Sequence, residues 1–271
     1  MGRMEDALKK AADERERRRA DEAAGLGSAA VRAEAATMAE PAGPRTAARA
    51  AAGSPALSRS AARLDERLLV VREPHGPGAE EFRKIRANIT AARPAPRTLL
   101  VTSGTHGEGK SLFAANLALA LLETRQGDVL VIDANLRRPE MASLLASRPG
   151  PGLSEVLTGA ESDPGALMQS TEVPGLWFLA AGSVGEAAAQ VLAPDVLRRA
   201  LERIPTRFRH IVIDAPSAIE YADVPLMAPD VDGVVLVVRV ESGKRSASKR
   251  AVEVLDAAGA RLLGTVVWTG A

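Results

Sequence analysis

The stretch RTLLVTSGTHGEGKS, residues 97–111, decides the fold of this chain. Its apolar start predicts a buried strand, and the LFAANLALALLE that follows it has the composition of a helix. Between them, Gly104, Gly109, Lys110 and Ser111 satisfy the pattern G-x-x-x-x-G-K-S/T. A glycine-rich turn can match this pattern by chance, but a position between a strand and a helix is the context that the motif requires. The sequence therefore predicts a phosphate-binding loop.

The residue types of this loop suit a nucleotide triphosphate. Glycines let backbone N–H groups converge on phosphate oxygens, and the helix that begins there adds the positive end of its dipole. Lys110 would neutralise the β- and γ-phosphates, and the Ser111 hydroxyl would hold Mg²⁺. The residues that we expect to contact the nucleotide are Gly104, Thr105, His106, Gly107, Glu108, Gly109, Lys110, Ser111 and Leu112.

Composition narrows the class of protein. The chain has 271 residues, 46% hydrophobic and 3% aromatic, so it can bury a large core built from Ala, Val, Leu and Ile. A formal net charge of +1 gives no electrostatic argument for a nucleic-acid partner, and we expect none. The absence of cysteine excludes disulfides, thiolate metal sites and thiol catalysis. Because no apolar run approaches membrane-spanning length, we expect a soluble cytoplasmic protein that reaches a membrane only through a partner.

Two regions of different composition divide the chain. Residues 1–63 are rich in Ala, Arg, Glu, Gly and Pro and contain few large apolar side chains. Such a segment cannot bury enough apolar surface to offset the entropy of ordering, so we expect a largely disordered extension. Residues 64–271 contain the periodic apolar pattern and are expected to form one domain.

Two further predicted strands end in an acid. DVLVID (128–133) and RHIVIDAPS (209–217) are continuously apolar before Asp133 and Asp214, which is typical of strands in a parallel sheet covered on both faces. The acids would lie at the carboxyl edge of the sheet, where ligands bind in open α/β folds. Asp214 would lie beside Ser111 and bind Mg²⁺ directly or through water, and Asp133 could hold the metal or deprotonate an attacking hydroxyl.

The rest of the domain continues the alternation of strand and helix. Residues 231–240 and 261–268 read as buried strands, GLWFLAAG as another strand, and MASLLA, LSEVLTG and APDVLRRALERI as helices. The pattern predicts an α/β fold with a mostly parallel sheet and helices on both faces.

Together these motifs resemble the bacterial tyrosine kinases of capsule and exopolysaccharide synthesis, the BY-kinases, within the deviant P-loop ATPase group of the MinD and ParA proteins. TSGTHGEGKSLFAANLALAL resembles the Walker A motif of the family, VLVIDANLRRP its Walker A′ and HIVIDAPS its Walker B, and GPGLSEVLTG and LAAG match further blocks. The resemblance covers residues 68–268. It implies a kinase domain that binds ATP and Mg²⁺, with catalytic roles for Lys110, Asp133 and Asp214 and metal contacts from Ser111, Asp133 and Asp214.

The resemblance also implies partners. Glu80, Arg83 and Arg86 lie on one face of a predicted helix and match the E-x-x-R-x-x-R helix through which family members assemble into rings. The other interpretation of these residues is a surface helix with local ion pairs. Family members act with a membrane co-polymerase, a chain-length regulator of polysaccharide export that supplies an activating cytoplasmic segment and recruits the kinase to the inner face of the membrane.

Three features depart from the family pattern, and a further position, Thr105, departs from the pattern of the MinD and ParA proteins. The sequence has one tyrosine, Tyr221, and no tyrosine-rich segment follows TVVWTGA, so the usual phosphate acceptor is missing. Asn135 stands where Walker A′ generally has a second acid, and an amide cannot act as a base. Trp268 replaces an asparagine that helps to recognise the base, and it could stack on adenine or pack in the core. Thr105 replaces the signature lysine of the MinD and ParA loop.

These departures leave three hypotheses. The first is a kinase that regulates polysaccharide polymerisation or export. The second is a pseudokinase-like adaptor in which the nucleotide only switches assembly. The third is a positioning ATPase of the MinD or ParA type. Tyr221 is expected to be a packing residue, with a role as phosphate acceptor as the alternative.

Overall fold

A computed structural model describes residues 63–183, 188–240 and 245–269. Apart from Arg63, the predicted N-terminal extension lies outside the described residues, so its disorder stays a prediction. The other described residues all belong to the segment that was expected to form the domain.

Seven strands form one sheet in the order β3-β4-β2-β5-β1-β6-β7. All neighbouring pairs are parallel except β3 and β4, which are antiparallel. The predicted mostly parallel α/β sheet is therefore confirmed. The strands are β1 (Thr98–Ser103), β2 (Asp128–Asp133), β3 (Gln169–Ser170), β4 (Leu176–Leu179), β5 (Phe208–Asp214), β6 (Gly233–Arg239) and β7 (Leu262–Trp268).

Helices cover both faces of the sheet and complete two hydrophobic clusters, one on each side. The long helices are α2, α3 and α10. The helices are α1 (Leu69–Arg72), α2 (Pro77–Ala91), α3 (Lys110–Leu122), α4 (Met141–Leu144), α5 (Leu153–Thr158), α6 (Pro164–Leu167), α7 (Ala188–Val191), α8 (Val196–Glu202), α9 (Asp223–Met227) and α10 (Arg245–Ala257). None of the helices in the described ranges has both the length and the apolarity needed to cross a bilayer.

Helix α3 is buried almost all round, unlike the amphipathic α2 and α10. It packs on β1, β2 and β5 with one side, and α2 together with α1 covers the other. A helix between a sheet and a second helical layer needs apolar residues on every face, which explains the run LFAANLALALL. The helix that begins at the phosphate loop is therefore the centre of one layer.

The structure differs from the sequence prediction in the exposure of one strand, the length of two helices and the presence of several short elements. Strand β7 was expected to be buried, but it is the edge strand and is half exposed, with Val267 at 65%. The helix predicted over MASLLA shortens to α4, and the one over APDVLRRALERI shortens to α8. Strand β3 and helices α6, α7 and α9 were not predicted, because segments of two to five residues carry no usable periodicity.

Strand register brings the two predicted acids together. In the ladder between β2 and β5, Asp133 lies opposite Asp214. In the ladder between β5 and β1, Asp214 lies opposite Val101, two residues before the strand ends at Ser103. The acids and the start of the phosphate loop thus share the carboxyl edge of the sheet.

Candidate nucleotide and metal site

The phosphate loop joins the end of β1 to the first turn of α3. Gly107 and Gly109 both have a φ of +83°, in the left-handed region where a side chain is strained. Gly109 directly precedes Lys110, the first residue of α3, so the loop turns sharply into the helix. The loop therefore lies between a strand and a helix N-terminus, the context that the motif requires, and phosphate binding there stays a prediction.

Glu108 stabilises this loop from within. Its side chain is almost fully buried, and its Oε2 accepts hydrogen bonds from the backbone N–H groups of Gly104 (2.9 Å) and Thr105 (3.4 Å). Its Oε1 accepts a hydrogen bond from the Thr105 hydroxyl (3.2 Å). Glu108 and Thr105 were predicted to contact the nucleotide, but their side chains bond each other across the loop. These bonds hold the loop in shape, and contact of the two residues with a nucleotide stays a prediction.

Lys110 and Ser111 stand at the base of the loop, and both are buried. The Lys110 Nζ donates a hydrogen bond to the Ser111 Oγ over 3.1 Å and lies 3.9 Å from the Asp214 Oδ1. Both Asp214 carboxylate oxygens are buried and have no hydrogen-bond partner among the described residues. The ammonium group is therefore the nearest charge that compensates the Asp214 carboxylate.

Asp133 is held more firmly than Asp214. Its Oδ1 accepts a hydrogen bond from the Asn135 N–H, and its Oδ2 accepts one from the Met141 N–H, each over 3.1 Å. Burial raises the pKa of the Asp133 carboxyl well above its ordinary value, and repulsion from Asp214 raises it further. Burial also raises the pKa of Asp214, against the attraction of Lys110 and of the nearby Ser111 hydroxyl. Two buried acids thus share one buried ammonium, and burial together with mutual repulsion disfavours ionisation of both at once.

These donors fit a magnesium ion that arrives with a nucleotide. Mg²⁺ prefers oxygen ligands and is usually held by one or two carboxylates together with substrate phosphates. Asp133, Asp214 and the Ser111 hydroxyl supply oxygens, and the unpartnered oxygens of Asp214 would gain a ligand. Within the described ranges no cluster of three or more acidic, histidine or cysteine side chains forms a complete metal site by itself. The phosphates would therefore have to complete the coordination.

The segment after Asp133 carries a second set of contacts. The Asn135 Nδ2 donates a hydrogen bond to the carbonyl of Arg138 over 2.7 Å, so this amide fixes the turn. The Arg137 guanidinium forms two hydrogen bonds with the Asp223 carboxylate and lies 4.4 Å from the centre of the Tyr221 ring. Tyr221 thus has a cation–π partner in the fold, as expected of a packing residue, while it is only half-buried.

A cavity of about 220 Å³ opens over the loop. Trp268 lies directly above Gly109, since a Cβ added at that glycine would be 2.7 Å from the indole Nε1. Trp268 also packs against the core cluster on the α3 face. The indole therefore lines the cavity with one part of its surface and packs against the core with another. The cavity is lined by Arg67, His106, Gly107, Gly109, Lys110, Ser111, Leu112, Glu140, Leu144, Arg239 and Trp268.

Arg67, Glu140 and Arg239 are cavity residues that the sequence did not single out. Arg67 belongs to the segment before α2, and the sequence contains no motif around it. Arg239 ends β6, so its place at the carboxyl edge could have been inferred from the predicted strand.

The predicted assembly helix α2 makes contacts within its own chain. Arg83 forms two hydrogen bonds with the Glu123 carboxylate, at 2.9 and 2.7 Å, and Arg86 donates to the same carboxylate at 2.9 Å. Arg86 also donates to the carbonyl of Ala120. Both contacts lie at the C-terminal end of α3. Glu80 pairs with Arg83 at 3.3 Å and is the more exposed member. The role of these residues in assembly stays a prediction.

The comparison with known proteins decides the family. No family model matches the chain. Over 189 residues the chain is 31% identical to the tyrosine-protein kinase CpsD of Streptococcus agalactiae, which covers 69% of this chain and 82% of that protein. The chain belongs to the BY-kinase family. The match spans most of both proteins, so the family resemblance that the motifs indicated is confirmed.

Other members and neighbours of the BY-kinases give the same result. The succinoglycan biosynthesis transport protein ExoP of Rhizobium meliloti is 31% identical over 63% of this chain and 22% of that protein. The solved structure of the chimerical protein CapA2B2 has a TM-score of 0.69 and 28% identity, over 76% of this chain and 90% of that chain. The septum site-determining protein MinD of Pyrococcus horikoshii, with Mg-ADP, has a TM-score of 0.53 at 23% identity over 63% of this chain and 69% of that chain, which shows a shared P-loop fold alone.

Proposed function

We propose that this chain is an ATP- and Mg²⁺-dependent protein-tyrosine kinase, with ATPase activity, that regulates capsular or exopolysaccharide polymerisation and export. The observation that carries the proposal is the arrangement of one buried ammonium, Lys110, between a phosphate loop and two buried acids, Asp133 and Asp214. This arrangement suits phosphoryl transfer, which depends on positioning and on neutralisation of charge more than on covalent chemistry of the enzyme.

Each residue has a distinct task in this proposal. Lys110 and the loop N–H groups bind the β- and γ-phosphates, while Ser111, Asp133 and Asp214 supply the oxygens that hold the metal ion. Bound Mg²⁺ would offset the charge that develops on the transferred phosphoryl group. Asp133, whose orientation two backbone hydrogen bonds fix, accepts the proton of the attacking tyrosine hydroxyl.

The proposed partners follow from the family. We propose that the kinase works at the inner face of the cell membrane, to which a membrane co-polymerase recruits it from the cytoplasm. The name of ExoP supports the link to polysaccharide transport. We also propose a homo-oligomer formed through Glu80, Arg83 and Arg86, and neither a nucleic-acid partner nor a membrane span of its own.

A nucleotide-switched adaptor of the same machinery is the second candidate. The observation that favours it is the Asn135 side chain, which holds the turn by a hydrogen bond to Arg138 and supplies no second acid to the site. A positioning ATPase is a weaker third candidate, supported by the P-loop fold shared with MinD.

The deciding experiment incubates the purified protein with radiolabelled ATP and Mg²⁺, with and without the cytoplasmic segment of the co-polymerase, and maps the labelled residues. We expect label on Tyr221 or on a partner tyrosine, lost in Lys110→Met because phosphate charge is then uncompensated. Lys84→Met is the matched control, since Lys84 forms an exposed pair with Glu81.

Other outcomes select the other candidates. ATP binding or slow hydrolysis without protein label would favour the adaptor, and nucleotide-dependent binding to DNA or lipid would favour the positioning ATPase. Unchanged nucleotide affinity and turnover in Lys110→Met would overturn the site assignment itself.

A further inference from the structure

Arg67 reaches the nucleotide cavity from outside the motifs. It lies in residues 64–72, here called the lead-in segment, more than thirty residues before the phosphate loop. Its side chain lines the same cavity as Gly109, Lys110 and Ser111. A ligand that fills the cavity over the loop therefore lies against this guanidinium.

The backbone of the lead-in segment is fixed on α3. Leu68 is fully buried in the core cluster on that face. The buried Asn116, in the middle of α3, donates from its Nδ2 to the carbonyl of Arg67 over 3.1 Å. Its Oδ1 accepts a hydrogen bond from the Val70 N–H over 3.2 Å. One side chain of the helix that begins at the phosphate loop thus sets the position of Arg67.

The side chain of Arg67 is oriented as well. Its Nε and Nη2 donate to the two carboxylate oxygens of Asp65, over 2.9 and 2.8 Å, and this bond lowers the pKa of Asp65. The fork arrangement leaves the Nη1 end of the guanidinium for another acceptor. The side chain is about half exposed, so a ligand can reach it. An oriented guanidinium loses little conformational entropy when it binds an oxygen ligand.

Charge balance in the site calls for a further cation. Lys110 already lies 3.9 Å from Asp214, so its charge is partly compensated within the site before a ligand enters. A triphosphate adds several more negative charges. Mg²⁺ would offset part of this charge beside Asp133 and Asp214, while Arg67 lines the same cavity from the lead-in segment, together with Glu140 and Arg239.

We infer that Arg67 is a phosphate-contacting residue of the nucleotide site, with Asp65 as the positioning residue that orients it. The inference rests on the proposed binding of a nucleotide at the phosphate loop and deepens it, because it assigns part of the site to the lead-in segment. Guanidinium groups have donors and no acceptor, and their fork geometry matches phosphate oxygens.

The test measures binding of ATP and of inorganic tripolyphosphate, each with Mg²⁺, by isothermal titration calorimetry of the full chain. We expect Arg67→Gln to weaken binding of both ligands by about 10- to 100-fold, as for loss of one charge-assisted hydrogen bond. Arg63→Gln is the matched control, because Arg63 lies one residue before the lead-in segment and pairs with Glu172 on the surface. It should bind both ligands as the wild type does. Arg67→Lys, which keeps the charge, should recover part of the loss and shows that folding is intact.

A second comparison separates positioning from general stability. Asp65→Asn should weaken tripolyphosphate binding in the wild-type background and have no further effect in Arg67→Gln. An equal effect in both backgrounds would overturn the positioning role.

The outcomes also separate this inference from the proposed function. A wild type that binds neither ligand would overturn nucleotide binding at the loop. Normal binding by the wild type and unchanged affinity in Arg67→Gln would overturn the role of Arg67 alone. If Arg67→Gln weakened the binding of ATP but not of tripolyphosphate, Arg67 would contact the nucleoside, and the proposed phosphate contact would be overturned.

Discussion

Replacing Asp214 by asparagine should stabilise the protein without ligand while it abolishes metal-dependent nucleotide binding. Asp214 is fully buried, and neither of its oxygens has a hydrogen-bond partner among the described residues. Burial of a carboxylate without hydrogen bonds costs free energy. The substitution leaves one buried ammonium, Lys110, with one buried acid, Asp133, so the remaining charges balance.

The expected gain is about 1–3 kcal/mol in the free energy of unfolding, in the range found when a buried charge without full hydrogen bonding is removed. For a domain of this size each kcal/mol raises the melting temperature by about 2–4 °C. We therefore expect a rise of several degrees in thermal denaturation in EDTA at pH 7. Mg²⁺ and ATP should raise the melting temperature of the wild type and not of Asp214→Asn, because ligands stabilise only the state that binds them.

Asp133→Asn is the matched control, for which we do not expect the gain in stability. Both Asp133 oxygens accept backbone hydrogen bonds, so an amide must turn its NH₂ group toward one of these N–H donors. We expect a melting temperature at or below that of the wild type. If Asp214→Asn were no more stable than Asp133→Asn, the argument from unpartnered oxygens would be refuted.

The pH dependence gives a second check on the same variant. Folding raises the pKa of both acids above the ordinary value of 3.8, so the folded state holds protons that the unfolded state releases. Their contribution to stability is therefore present at low pH and is lost as the pH rises above this value. The stability advantage of Asp214→Asn should grow from pH 4 upward, and a constant advantage would contradict the cause assigned here.

Three further predictions concern other parts of the domain. The double variant Arg83→Ala and Arg86→Ala should be monomeric by light scattering, whereas Glu123→Gln should keep the oligomer. A monomeric Glu123→Gln would show that Arg83 and Arg86 act through the fold of the chain instead of through assembly. Burial lowers the pKa of His210, so the unfolded state binds the proton more readily and stability should fall as the pH drops below 6.5. His210→Gln should reduce that fall in urea denaturation, and an unchanged slope would rule out His210 as its source. In a Trp177→Phe background, the fluorescence of Trp268 should change with ATP and not with tripolyphosphate, and an equal response would exclude stacking on the base.

The sequence predicted the parts of the site that depend on local patterns. The phosphate loop is recognisable because its glycines, lysine and serine are contiguous, and the two acids because each ends an apolar strand. Their meeting at one edge follows from parallel strand order, which the alternation of strand and helix predicted.

The contacts that the sequence did not predict join residues far apart in the chain. The backbone carbonyl of Arg67 accepts a hydrogen bond from Asn116, which lies 49 positions later in the chain. The Arg86 side chain donates to Glu123, which lies 37 positions later. A charged side chain in a predicted helix has many acceptable partners, and only the packing of α2 on α3 selects one. The exposure of β7 was missed for a similar reason, since its Val-rich sequence suits a central strand and only the strand order makes it an edge.

Helix α3 runs from the phosphate loop to the contacts of Arg83 and Arg86. Its 13 residues span about 20 Å as a helix, from Lys110 at the phosphate loop to the carboxylate of Glu123, which follows its last residue. Because it is buried on nearly every side, close packing restricts bending along its length. The residue that follows its last turn, Glu123, is the one that Arg83 and Arg86 of α2 both bond. One continuous helix therefore joins the phosphate loop to the carboxylate that anchors the two arginines of α2.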